Sequence, residues 1–208
     1  MANSFDDLPP RTALAGIARD FHARGWMGGT AGNLSARADD AHFWITASGL
    51  PKGSLGEDDF LLVRVADGGV VERGRAGLAP SAETGIHAAI YALDPQARAC
   101  LHGHTVVACL ATARLKGRPK TLRLPGLEMV KAFEIWEQHP KAELALFENQ
   151  PDVARIAREV RSRFSRRRPA ISALLVRDHG PTVWGRGVQE AYNRFEALDF
   201  LLSFLASR

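Results

Sequence analysis

Apolar residues recur at Leu14, Ile17, Ala18 and Phe21, the three-and-four spacing of a helix that buries one face. Asp7 is placed to cap this helix and Gly25 to end it. After a glycine-rich loop, Gly28-Gly29-Thr30-Ala31-Gly32-Asn33, the segments Leu34 to Arg37 and His42 to Thr46 read as a hairpin about Asp39-Asp40. Phe60 to Val65 and Val70 to Glu72 read as a second hairpin about Ala66-Asp67-Gly68-Gly69. Ser81 can cap a helix running to about Tyr91, and the apolar run Ala97 to Leu101 reads as a strand. A helix from about Thr105 to Leu115 follows, then a loop rich in Lys, Arg and Pro.

Glu128 opens a short helical or irregular stretch through Trp136, and Leu144 to Phe147 is a further apolar strand. Val153, Ile156, Val160 and Phe164 form the buried stripe of a helix whose other face carries arginines. Ala173 to Val176 is a strand that Val183-Trp184 either continues or reverses. The last helix shows Val188, Ala191, Tyr192, Phe195, Leu198, Leu202 and Leu205 on one face, against the core or a neighbouring subunit. Early hairpins and later mixed elements predict an α/β sheet covered by helices, without the strict alternation of a doubly wound fold.

Composition narrows the class. With 208 residues, 46% of them hydrophobic, the chain suits one sizeable core and a single domain over 1–208. Its formal net charge is +4, compatible with nucleic acid but equally with a phosphorylated metabolite. Much of that charge is local, in Arg155, Arg158, Arg161, Arg163, Arg166, Arg167 and Arg168. No aromatic residues interleave to stack bases, so this is a solvated helix face and no nucleic-acid partner is expected. Two cysteines without disulfide spacing, no signal-peptide pattern and no apolar run of spanning length predict a cytoplasmic protein with no membrane partner.

Candidate chemistry centres on His102-Gly103-His104, where an extended segment would turn both rings to one side. A third histidine, His179, follows the Ala173 to Val176 strand in Asp178-His179-Gly180. Three histidines with an open fourth position are the ligand set of a catalytic zinc. Glu83 and Glu128 could move a proton beside such a Lewis acid, although negative charge near a helix start is favoured anyway. Glu83 and His87, four apart on a helix, raise a rival metal site. His22, His42 and His139 have no companion ligand nearby and read as surface or hydrogen-bonded histidines. Thr30-Ala31-Gly32-Asn33 and Thr46-Ala47-Ser48-Gly49, with Lys52 close by, are turns that could hold a phosphate.

Together, Thr30-Ala31-Gly32-Asn33, Ile45 to Gly49, Pro80-Ser81-Ala82-Glu83, the His102/His104 pair and Asp178-His179-Gly180 resemble the class II aldolase and adducin family over nearly the whole chain. Gly25-Trp26, Ser81 to Thr84, Glu128-Met129-Val130-Lys131 and His179-Gly180 with Val183 to Gly185 most resemble its branch of ketose-phosphate dehydratases. The resemblance implies a three-layer αβα fold with a mostly antiparallel central sheet, and a cyclic homotetramer with sites near subunit interfaces. It implies one Zn2+ per subunit on His102, His104 and His179, and a phosphorylated ketose as substrate. Glu128 then matches the acid/base glutamate of the dehydratases and is the expected base for the C3 proton. Glu83 matches the catalytic glutamate of the aldolases, where some dehydratases carry cysteine. Thr30, Gly32, Asn33, Ser48, Gly49 and Ser81 match the phosphate-binding turns, with Lys52 as an added cation, and Ala82 stands where several aldolases have serine. The rival activities are a sugar-phosphate aldolase or 4-epimerase, and a noncatalytic adducin-like interaction domain.

Overall fold

The computed structural model describes residues 4–208. Helix α1 (Pro10–Ala23) leads into the hairpins β1 (Asn33–Arg37)/β2 (His42–Thr46) and β3 (Phe60–Arg64)/β4 (Val70–Arg73). Then come α2 (Thr84–Leu93), β5 (Ala99–His102), α3 (Val106–Ala113) and β6 (Thr121–Arg123). A 3-10 helix (Glu128–Phe133), β7 (Glu143–Phe147), α4 (Val153–Arg166), β8 (Ala173–Val176), β9 (Gly180–Gly185) and α5 (Val188–Ala206) complete it. The strands form one nine-stranded sheet in the order β4-β3-β2-β1-β5-β9-β8-β7-β6. Only β7 and β8 pair in parallel; every other neighbouring pair is antiparallel.

Strand alternation sends side chains to two separate cores. Leu34, Ala36, Ala99, Leu101, Leu175 and Val183 pack with α1, α3 and α5, whereas Phe43, Ile45, Cys100, Leu174, Val176 and Trp184 pack with α2 and α4. The result is the expected three-layer αβα arrangement with a mostly antiparallel sheet.

Several boundaries differ from the sequence reading for local reasons. Strand β6 lies inside the expected basic loop; with only Leu122 buried, three residues are too few to show a period. Val183-Trp184 reverses the preceding strand through a tight turn and does not continue it. Helix α2 begins at Thr84, later than a Ser81 cap implies, although the Ser81 hydroxyl does accept from the Glu83 N–H at 3.2 Å. Asp7 ends a separate 3-10 turn, Phe5–Asp7, and α1 starts at Pro10 with no side-chain cap. Its neighbour Asp6 instead accepts from the Val188 N–H at 2.6 Å, capping α5 across the fold. The exposed arginines of α4 line a groove of about 960 Å³ with Lys120 and Arg118 that contains none of the candidate ligands.

Candidate metal centre

Two chain reversals carry the histidines. His102 ends β5, and the next two residues turn away so that His104 hangs from the Trp26 carbonyl by its N–H at 2.7 Å. Asp178, at φ 52°, makes the left-handed turn between β8 and β9, a conformation Asp tolerates better than most residues. The Thr112 hydroxyl accepts from its N–H at 3.1 Å and holds the turn that presents His179. The reversals touch at two glycines: a Cβ on Gly180 would lie 2.1 Å from the Gly103 carbonyl oxygen.

The three rings meet. His104 Nε2 and His179 Nε2 are 3.0 Å apart, and the ring centroids of the trio lie 4.3 to 5.1 Å from one another. Glu83 joins them from the start of α2, with Oε2 at 3.2 Å from His102 Nε2 and Oε1 at 3.5 Å from His179 Nε2. One ligand atom from each of these four residues fits within 4.8 Å of the others. His102 Nδ1 donates to the Pro181 carbonyl at 2.9 Å, which fixes the tautomer and turns the Nε2 lone pair inward.

The donor set suits a cation. Burial, with His102 and His179 adjacent, lowers the His104 pKa to about 4, and burial lowers His179 as well. Both rings are therefore neutral near pH 7, the form that ligates. At 3.0 Å the two Nε2 atoms face each other, and with the ring protons on Nδ1 both would offer their lone pairs to one cation. His102 Nε2 and Glu83 Oε1 are buried without a hydrogen-bond partner, the mark of atoms meant for another ligand. Burial would raise the Glu83 carboxyl, but the His102 and His179 rings and a hydrogen bond from Asn33 hold it below the usual carboxylate range. An adjoining cavity of about 480 Å³, lined by His104, Thr105, Cys109, Asn149, Asp178 and His179, leaves room for a small substrate. Cys109 and Asn149 carried no sequence signal of this placement.

The structure gathers the three candidate phosphate turns on the same side of the fold. Lys52 N–H donates to the Gly29 carbonyl at 3.1 Å, Ser48 N–H to the Ala79 carbonyl at 2.9 Å, and Ala47 bridges to Pro80. Thr30, Ser48 and Gly49 are exposed at their tips. Gly32 sits at φ 81° with Met27 and the His102 carbonyl against it, a position no side chain fits.

Other expected roles change. The Asn33 side-chain N–H donates to Glu83 Oε2 at 2.5 Å, which ties that amide to the metal cluster. Lys52 is buried, its Nζ donating to the Ala47 and Leu50 carbonyls beneath the turn; burial lowers its pKa, with Asp59 opposing. Glu128 stands outside the cluster, exposed and paired with Lys131. His87 takes no part in a second metal group, because its ring turns to Ser35. His22 and His42 are bonded to the Met27 carbonyl and the Asp39 carboxylate, as ordinary polar histidines are.

Relatives share this architecture and sequence. A Microcystis aeruginosa protein named methylthioribulose-1-phosphate dehydratase is 46% identical over 198 residues, 95% of each chain. A Leptospira biflexa protein of the same name is 41% identical, over 90% of this chain and 92% of that one. The crystal structure of YgbL from Escherichia coli, a putative aldolase/epimerase/decarboxylase, superposes with a TM-score of 0.76 at 27% identity, covering 93% of this chain and 86% of that one. The l-fuculose-1-phosphate aldolase from Thermus thermophilus gives 0.72 at 26%, covering 94% and 93%. Residues 12–205 match the family described as Class II Aldolase and Adducin N-terminal domain, so the chain with this histidine cluster at its strand ends belongs to the class II aldolase and adducin family.

Proposed function

We propose that this protein is a zinc-dependent hydro-lyase that converts 5-methylthioribulose 1-phosphate to 5-methylthio-2,3-dioxopentyl phosphate, a step of methionine salvage. The observation that carries the reading is the convergence of His102, His104, His179 and Glu83 in a chain 46% identical to a protein named for that dehydration. Three imidazoles favour zinc over harder cations, at one ion per subunit. Bound there, the ion supplies a Lewis acid that polarises the ketose carbonyl and makes the neighbouring C–H acidic.

The protein's groups do the rest. The turns at Thr30 to Asn33, Ser48-Gly49 and Ser81 hold the phosphate through backbone N–H groups and hydroxyls. Lys52 adds positive charge from beneath its turn. Glu83, ionised and aimed into the cluster, takes the C3 proton. The C3–H electron pair forms the C3–C4 double bond while the C4–O bond breaks, and the departing hydroxide gains a proton and leaves as water. Tautomerisation of the resulting enol gives the 2,3-diketone. Glu128, exposed on its 3-10 helix, serves the site of a neighbouring subunit in a cyclic tetramer. It enters the cycle protonated, having exchanged its contact with Lys131 for the substrate, gives that proton to the leaving hydroxyl, and is reprotonated from solvent as Glu83 releases the C3 proton.

No helix among the described residues is long and apolar enough to cross a membrane, and a cytoplasmic location suits a phosphorylated substrate. The test is mass analysis of the products after zinc-loaded protein meets 5-methylthioribulose 1-phosphate, beside a metal-stripped control. Metal-dependent loss of one water is expected. Cleavage of the carbon chain would replace the reading with an aldolase, and an unchanged substrate at full zinc occupancy would overturn it.

A further inference from the structure

Glu83 and His87 lie one helical turn apart at the start of α2, and Asn33 and Ser35 lie two residues apart on the β1 face that meets it. Both spacings stack side chains in line, so helix and strand join as two rungs. In the first, the Asn33 amide donates to Glu83 Oε2 at 2.5 Å. In the second, His87 Nδ1 meets the Ser35 hydroxyl at 2.6 Å, and the Tyr91 hydroxyl, a further turn along, reaches the same oxygen at 2.8 Å. His87 and Ser35 are wholly buried and Tyr91 is 1% exposed. Glu83 itself is the helix N-cap, and its side chain makes no capping bond. Its carboxylate goes wherever the docking of this first turn puts it.

We propose that His87 is a positioning residue for Glu83: its ring, locked on Ser35, sets the register of α2 against β1 and so holds the Glu83 carboxylate against His102 and His179. This rests on Glu83 as the proton-transfer group. Donor accounting assigns the tautomer. The Ser35 hydroxyl lies 3.4 Å from the Cys100 carbonyl. If it donates there, it accepts from Tyr91 O–H and from His87 Nδ1–H, and all three donors are satisfied. The reverse arrangement would leave an Nε2–H donor buried without a partner, the costlier orphan, since Nε2 has none in this structure. His87 thus acts as a neutral donor wedged between helix and sheet, outside the reach of substrate.

The experiment compares Glu83→Gln, His87→Phe, His87→Asn and the Glu83→Gln/His87→Phe double variant for kcat, KM, bound zinc and melting temperature. His87→Phe is expected to lower kcat on the order of 10- to 100-fold through misplacement of the carboxylate. KM and zinc content should remain close to those of the unmodified protein. His87→Asn, whose amide can stand in for Nδ1–H, should recover most of kcat. In the Glu83→Gln background, His87→Phe should cost nothing more. Normal kcat in folded His87→Phe beside an impaired Glu83→Gln overturns the positioning role alone, as does a multiplicative loss in the double variant. Near-normal kcat in Glu83→Gln overturns the assignment of Glu83 itself. Should His87→Phe fail to fold, Ser35→Ala removes the same rung and must show the same loss of kcat at constant zinc, or the proposal falls.

Discussion

Burying His87 as a neutral ring makes the fold acid-sensitive by a calculable amount. Burial above all, and the nearby His102, lower its pKa from 6.5 to about 3, with Glu83 opposing. Tyr91 and Cys100, buried on the same side of the sheet, are neutral throughout acid pH because burial raises both. Below pH 6.5 the unfolded chain takes up a proton on this ring, while the native state stays unprotonated down to about 3. The stabilisation is complete above that range and is lost as pH falls through it. Each pH unit is worth about 1.4 kcal/mol, so acidification to about pH 4.5 should cost about 2 to 3 kcal/mol through His87 alone. In a chain of this size that is roughly 5 to 10 °C of melting temperature. Thermal unfolding of metal-free protein at the two pH values, for the unmodified chain and His87→Phe, isolates this contribution, because all other titrating groups are shared. A steeper decline in the unmodified chain is expected. Parallel declines would refute the reasoning, by showing that the buried ring already binds its proton in the native state.

Three further outcomes follow from the site. Gly180→Ala drives a methyl into the Gly103 carbonyl and should destabilise by about 1 to 3 kcal/mol or more, with zinc affinity falling alongside in a titration. His104→Ala should remain folded yet lose the zinc-induced rise in melting temperature that marks a ligand bound only by the native state; an unchanged rise would remove His104 from the ligand set. Glu83→Gln and Glu128→Gln, each impaired alone, should regain activity when co-refolded, since a mixed oligomer can pair an intact Glu83 with an intact Glu128 across a subunit boundary. No recovery, with mixed oligomers demonstrated by mass, would place both carboxylates in one chain's site.

The layers of the fold were legible because alternation in β1 to β3 and the helical stripes of α4 and α5 are each long enough to show a period. The histidine trio was legible because all three stand where an apolar run meets a turn. What escaped depended on partners far away in sequence. Lys52 reads as a cation beside a turn, and only the folded chain shows its ammonium tucked under the Ala47 and Leu50 carbonyls. Asn33 reads as a phosphate donor, whereas Glu83, fifty positions on, claims its amide. The four-residue interval from Glu83 to His87 was visible, and it suggested a second metal site because nothing local reveals that Ser35 waits opposite the ring. Glu128 has the right motif, yet the folded chain leaves it exposed and paired with Lys131, outside the cluster.

The adjacency of β5 and β9 has a thermodynamic side. His102 and His179 are distant in sequence, yet the strands that deliver them are already hydrogen-bonded neighbours, with His102 directly opposite Thr182. The entropy of closing that long loop is spent by the sheet and not by the ion. Coordination energy therefore goes into holding the cation and polarising its substrate rather than into folding the chain, in contrast to small domains that collapse only around their metal. The apoprotein should keep its full β-sheet signature, and reloading should proceed as simple binding to a preorganised site.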